Sequence, residues 1–298
     1  MEIGRLLTAM VTPMDDDGRV DYAQARRLAQ ALMDSGSDGV VVAGTTGEAP
    51  TLSHEERLRL VREVKEAVAG RGAVIAGTGT YRTDESIELS REAERAGADG
   101  LLLVTPYYHR PTQEGLYRHF RAIAEAVSVP CILYNIPGRT GVNMTAETAL
   151  RLAQVPNIVG VKEASGDLGQ AARIIEGAPQ GFRLWSGDDA LTLPLLAIGG
   201  YGVVAVVSHL AGLQFKRMIE AFLAGAVEEA ARLHRRLLPL MQTLMTAAPN
   251  PIPIKYALNQ VGFRVGRPRL PLTEPDEEAA RRIMAEVAKV PLDLKVPV

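Results

Sequence analysis

The chain has very little sulphur chemistry to offer. A single cysteine, Cys131, stands among 298 residues, so an intramolecular disulfide framework is excluded. No block of one charge sign appears and the formal net charge is −2, which leaves nucleic-acid binding through a basic face unsupported. No apolar stretch is long enough to span a bilayer. The first residues, Met1-Glu2-Ile3-Gly4-Arg5, run into Met14-Asp15-Asp16-Asp17 and lack a secretory pattern, so a cytoplasmic protein is expected. The five histidines, His54, His109, His119, His209 and His234, show no metal-ligand spacing, and no metal is expected. There is no P-loop, and Gly77-Thr78-Gly79 lacks the third glycine of a dinucleotide fingerprint. What remains is ordinary globular composition, 47% apolar and 23% charged, with material for one large core.

Short apolar runs alternate with longer amphipathic segments. The runs cover residues 6–11, 40–43, 73–76, 101–104, 131–134, 158–161, 183–185 and 203–207. They are apolar throughout, as parallel strands buried on both faces require. Eight such strands alternating with helices predict an α/β fold, a (β/α)8 TIM barrel. Ser53-His54-Glu55-Glu56 reads as a capping box, and Thr83 and Thr145 as N-caps. From about Gly212 the strand signals stop. Residues 215–223, 227–245 and 277–287 read as helices, separated by Ala224-Gly225 and by the Pro-rich stretch 249–253. The expected division is a catalytic barrel over residues 1–224 and a C-terminal helical domain over 225–298.

In this fold active sites form at the C-terminal ends of the strands. One of those ends carries Lys162, followed by Glu163-Ala164-Ser165-Gly166-Asp167. Burial there favours a neutral amine, which attacks carbonyls to form Schiff bases; the plain alternative is a lysine snorkelling into water. Tyr134 closes the preceding strand and offers a hydroxyl for proton transfer, or simply a core aromatic. The turn Gly44-Thr45-Thr46-Gly47 offers backbone N–H groups and two hydroxyls to a carboxylate, or is a strand-to-helix turn with local bonds. Arg139 offers a bidentate fork for a second carboxylate, or is a surface arginine. Asp188 and Asp189 after the seventh strand disfavour a phosphate ligand. Cys131 and Trp185 read as core.

Taken together, Gly44-Thr45-Thr46-Gly47-Glu48, Tyr134-Asn135-Ile136-Pro137, Gly160-Val161-Lys162-Glu163-Ala164-Ser165-Gly166 and Asn250-Pro251-Ile252-Pro253-Ile254-Lys255 resemble the pyruvate-dependent class I aldolase family, over almost the whole chain. The resemblance implies that Lys162 is the Schiff-base residue and that no cofactor is needed. It implies a proton relay of Thr45 and Tyr134, completed by Tyr108 from a neighbouring subunit. Thr46 would hold the pyruvate carboxylate, and Gly187 and Val204 would contribute backbone near the site. The implied assembly is a homotetramer built from tight dimers. Thr45-Thr46 and Arg139-Thr140-Gly141 are similar to the branch that joins pyruvate to L-aspartate 4-semialdehyde in lysine and diaminopimelate biosynthesis, giving 4-hydroxy-tetrahydrodipicolinate. Arg139 would then bind the semialdehyde carboxylate. Val206-Val207-Ser208-His209 departs from that branch's usual Val-Thr-Ala-Asn. His54, Glu85 and Tyr107 match its allosteric lysine site, whereas Ala49, Pro50 and Tyr81 do not. Two alternatives stay open: a sibling lyase that cleaves a 2-keto-3-deoxy sugar acid, and a non-catalytic ketoacid-binding protein.

Overall fold

The computed structural model describes residues 2–296. Its strands are β1 (Leu6–Ala9), β2 (Gly39–Val42), β3 (Ala73–Gly77), β4 (Gly100–Val104), β5 (Cys131–Asn135), β6 (Ile158–Glu163), β7 (Arg183–Ser186) and β8 (Gly202–Ala205). All neighbours pair in parallel, and β8 returns to β1 to close the barrel, with Leu7 opposite Val204. The helices are α1 (Tyr22–Asp34), α2 (His54–Val68), α3 (Thr83–Arg95), α4 (Gln113–Ala124), α5 (Pro137–Thr140), α6 (Ala146–Leu152), α7 (Leu168–Gly177), α8 (Thr192–Ala197), α9 (Ser208–Leu223), α10 (Val227–Thr246), α11 (Ile252–Gln260) and α12 (Glu277–Val287).

Because side chains alternate along a strand, each apolar run feeds two cores. Leu7, Val41, Ile75, Leu102, Ile132 and Val204 fill the barrel interior. Their neighbours Leu6, Val40, Val74, Leu101, Cys131 and Val203 pack outward under the helices. Trp185 plugs the interior, fully buried, with its indole N–H donated to the Gly4 carbonyl at 3.0 Å. Gly160 makes room for it: a Cβ there would lie 2.6 Å from the indole and 2.2 Å from the Arg183 carbonyl oxygen.

The capping box forms, with Ser53 Oγ accepting from Glu56 N at 3.1 Å and Glu56 accepting from Ser53 N at 2.8 Å. Thr145 also caps its helix. Thr83 does not. It is the first residue of α3, and its hydroxyl pairs with His119 Nδ1 at 2.9 Å, a long-range bond that outcompetes the local one. Residues 215–223 belong to a longer α9 that begins at Ser208 and breaks at Ala211, where φ is −130°. The Pro-rich stretch is less of a separator than expected, because α11 starts inside it. Pro251 precedes that helix and Pro253 lies in its first turn, where a missing N–H costs nothing.

Candidate active site

Strand β6 runs two residues further than its apolar run, through Lys162 and Glu163, because both still pair with β5 and β7. The β5–β6 register shifts between Cys131 and Ile132, so that Val159 is passed over and Tyr134 comes opposite Lys162. A one-residue slip would turn one side chain out of the barrel. The shift therefore aims both inward. Lys162 Nζ lies over the Tyr134 ring, 4.1 Å from its centroid. Both residues are buried, at 6% and 4% exposure.

Burial pushes the Lys162 ammonium down to about 7; the Asp189 carboxylate opposes this and the Arg139 guanidinium adds to it. A neutral amine is thus accessible near neutral pH. Burial lifts the Tyr134 phenol to about 12, against the pull of Arg139 and of a hydrogen bond with Thr45. The phenol stays protonated, so it can donate as well as accept through Thr45. Asp189 had signalled only an unfavourable phosphate site. Here it is buried and accepts from the Val206 and Val207 amides at 3.1 and 2.7 Å, and its carboxyl is raised by burial to about 7. Gly187 leaves the stem of the lysine free: a Cβ would stand 3.2 Å from Lys162 Cε and 2.6 Å from Ala164 Cβ. Val204 is buried in the interior beside them.

A cavity of about 240 Å³ opens above this floor, lined by Thr45, Tyr134, Arg139 and Thr140 among others. Arg139 is presented by the short helix α5, which Pro137 starts and Gly141 ends at φ +75°. Thr46, next to the lining residue Thr45, is buried and does not itself line the cavity; its hydroxyl accepts from Asn250 Nδ2 at 2.9 Å. Thr12 holds the same turn through the Gly47 carbonyl at 2.7 Å. Among the described residues no cluster of three His, Cys, Asp or Glu side chains could hold a metal ion.

The turn is anchored from below by a pair that sequence reading passed over. Glu48, in a left-handed backbone conformation at φ 57°, meets Lys255 of α11 at 2.7 Å, both side chains buried. Lys255 Nζ also donates to the Thr12 and Arg267 carbonyls at 3.1 and 3.0 Å, and Glu48 accepts from the Arg269 amide at 2.8 Å. Removing one partner of such a pair strands the other charge. Lys255→Met is expected to destabilise the protein by about 3–5 kcal/mol in urea or thermal unfolding. A change within about 0.5 kcal/mol, as for surface substitutions, would show that Glu48 does not depend on this lysine.

Other expected residues lie apart. Tyr108 is 87% exposed, at φ 72°, and does not line the cavity. Of the residues matched to an allosteric site, only Tyr107 lines it, packing edge-on against Tyr81 at 5.3 Å. His54 turns away to hydrogen-bond Glu92, and Glu85 accepts from Thr80 at 3.2 Å. Their place is taken by Arg57, one turn after His54 on α2. It lines the cavity beside Tyr107, donates to the Ala49 carbonyl at 2.5 Å and keeps its Nε buried without a partner.

A closed parallel barrel whose strand ends face a buried lysine with a tyrosine defines a lyase of the aldolase type. The chain belongs to the dihydrodipicolinate synthetase family, whose model matches residues 2–290. It is similar to the 4-hydroxy-tetrahydrodipicolinate synthase of Symbiobacterium thermophilum, with 61% identity over 95% of this chain and 97% of that one. Among solved structures it is similar to a dihydrodipicolinate synthase from Bacillus anthracis (TM-score 0.95, 44% identity, 98% and 99% coverage). It is also similar to one from Cyanidioschyzon merolae with lysine bound (TM-score 0.95, 50% identity, 96% and 98% coverage).

Proposed function

We propose that this chain condenses pyruvate with L-aspartate 4-semialdehyde to give 4-hydroxy-tetrahydrodipicolinate, a step of lysine and diaminopimelate biosynthesis. The observation that carries the reading is the register that places Lys162 against Tyr134, which lines a cavity together with Arg139. The neutral Lys162 amine adds to the pyruvate ketone, and loss of water gives an iminium. Thr46 and the turn around it hold the pyruvate carboxylate. A proton leaves the pyruvate methyl carbon through Tyr134 and Thr45, forming an enamine. That carbon bonds to the aldehyde of the semialdehyde, whose carboxylate is held by Arg139, and the resulting alkoxide takes up a proton. The amino group then attacks the iminium carbon and expels Lys162. The lysine serves as the electron sink, so the chemistry calls for no cofactor.

Tyr108 completes the relay of a second copy in this reading. A bulky residue at positive φ is costly to hold, and an exposed tyrosine held there is consistent with insertion into a neighbour. The assembly we propose is a homotetramer built from such dimers, in the cytoplasm. No helix among the described residues is long and apolar enough to cross a membrane.

The test is a coupled assay of the purified protein with pyruvate, offering aspartate semialdehyde and N-acetylmannosamine in parallel. Turnover of the semialdehyde alone is expected. Turnover of the amino sugar instead would transfer the chain to the sibling lyases.

Arg57 also bears on regulation. A lysine effector brings an ammonium, which the guanidinium beside Tyr107 repels, and a carboxylate, which it attracts; the bulky Tyr81 ring packs against Tyr107, and Pro50 removes a backbone donor. L-Lysine is therefore expected to inhibit weakly or not at all, in rates measured against rising lysine at saturating pyruvate. Strong inhibition at concentrations well under those of the substrates would show that the remaining polar groups, Arg57 included, suffice to hold the effector.

A further inference from the structure

Lys162 and Tyr134 are each followed on their strands by a residue with a buried polar side chain. Asn135 and Glu163 are opposite one another in the β5–β6 ladder, at 0% and 3% exposure. By strand alternation they point away from the cavity, into the layer beneath α7. There they close a ring with Asn143 and Gln170. Glu163 accepts from Asn135 Nδ2 at 3.1 and 3.2 Å, from Gln170 Nε2 at 3.1 Å and from the Ser165 amide at 2.7 Å. Asn135 Nδ2 also donates to Asn143 Oδ1 at 2.7 Å, and Asn135 Oδ1 accepts from the Met144 amide at 2.9 Å. Gln170 and Asn143 exchange a further pair at 2.9 and 3.2 Å.

Two things about this ring are unusual for a scaffold. The hydrogen bonds to the Glu163 carboxylate come from neutral donors, so a buried carboxylate is held by hydrogen bonds alone, an expensive arrangement. Three of its four members also tie different parts of the catalytic mouth. Asn135 follows Tyr134, Glu163 follows Lys162, and Asn143 lies just beyond the α5 turn that presents Arg139. The ring thus links three residues of the proposed site at one point, behind the register shift that aims two of them.

We propose that Glu163 is a positioning residue for the Lys162 reaction, its carboxylate acting as the acceptor around which Asn135, Gln170 and Asn143 set the directions of Lys162, Tyr134 and the Arg139 turn. The inference rests on the Schiff-base reading of Lys162. Its working feature is donor–acceptor complementarity. Each carboxylate oxygen faces only N–H donors, so an amide at position 163 would set a donor against a donor.

Three variants test it. Glu163→Gln keeps shape and loses complementarity, and is expected to lower kcat by about tenfold to a hundredfold, the scale of a small misplacement of reacting groups, with a much smaller change in KM for pyruvate. Glu163→Gln combined with Gln170→Glu exchanges donor and acceptor between positions 163 and 170, and is expected to recover part of that loss although the charge has moved to α7, the rest being lost where the new carboxylate faces Asn143 Oδ1. Gln170→Met removes one donor and leaves Ser165 and Asn135 in place; it is expected to lower kcat several-fold and serves if the first variant does not fold. Wild-type trapping of pyruvate by borohydride is run alongside. If the wild type traps pyruvate but Glu163→Gln, or Gln170→Met in its stead, is folded with kcat within twofold of it, the positioning role is wrong and the Schiff-base reading survives. A folded double variant with no recovery would likewise overturn it. Failure of the wild type to trap pyruvate would bring down the underlying reading instead.

Discussion

Lys162→Ala is expected to abolish the covalent intermediate and with it the reaction. Wild-type protein treated with pyruvate and borohydride should gain one reduced pyruvyl group, located on Lys162 by peptide mapping, and the alanine variant should gain none. Loss of a covalent nucleophile is among the most severe single changes an enzyme suffers, and turnover should fall by at least about a thousandfold. The pH dependence has a definite sign. The attacking form is the neutral amine, and burial sets its titration near 7. The trapping rate should therefore rise as pH climbs through about 7 and fall as the ammonium forms below it. Asp189 ionises over the same range and holds the proton on Lys162 more tightly as it does so, which broadens the rise. Label that persists unchanged in Lys162→Ala would move the nucleophile elsewhere. Complete lack of label in the wild type would favour a ketoacid-binding protein.

The barrel was legible because strands buried on both faces leave unbroken apolar runs, and eight of these could be counted without knowing how they pair. The strand-end rule then singled out Lys162, Tyr134 and Arg139; in the structure Tyr134 and Arg139 line one cavity, and Lys162 lies against the Tyr134 ring. What sequence reading missed was set by long-range partners. The register shift that turns Lys162 toward Tyr134 is a property of two strands and leaves no mark on either alone. Thr83 has an ordinary capping spacing, but His119 claims its hydroxyl from another helix. Helix α11 hid behind Pro251 and Pro253, which read as breakers although both stand where a helix tolerates them. Glu48 and Lys255 lie far apart in the chain, so nothing local announces a buried pair. Arg57 lies on helix α2, away from the strand ends where this fold builds its sites. Its signal was the helical spacing of three residues from His54, which brings it within a turn of a position already under suspicion.

Tyr134→Phe is the sharpest probe of the relay, because it removes one oxygen and almost nothing else. The ring belongs to the interior core and carries Lys162 Nζ over its face, and phenylalanine keeps both roles. The hydroxyl has the Thr45 side chain as its polar neighbour, so the change should cost at most about 0.5–1.5 kcal/mol of stability, the worth of one hydrogen bond. Catalysis should suffer far more. Carbinolamine dehydration and enamine formation each move a proton within reach of that hydroxyl. A positioned acid–base group contributes roughly a hundredfold to ten-thousandfold, and kcat should fall by that factor. Schiff-base trapping should slow with it, since dehydration precedes reduction. Thr45→Val should act on the same step, and the double variant should lose little beyond Tyr134→Phe alone, because two members of one relay fail together. If kcat stays essentially unchanged in Tyr134→Phe, the tyrosine serves only as core, and the proton must travel by another path. If the two losses instead multiply, Thr45 and Tyr134 act on separate steps and do not form one relay.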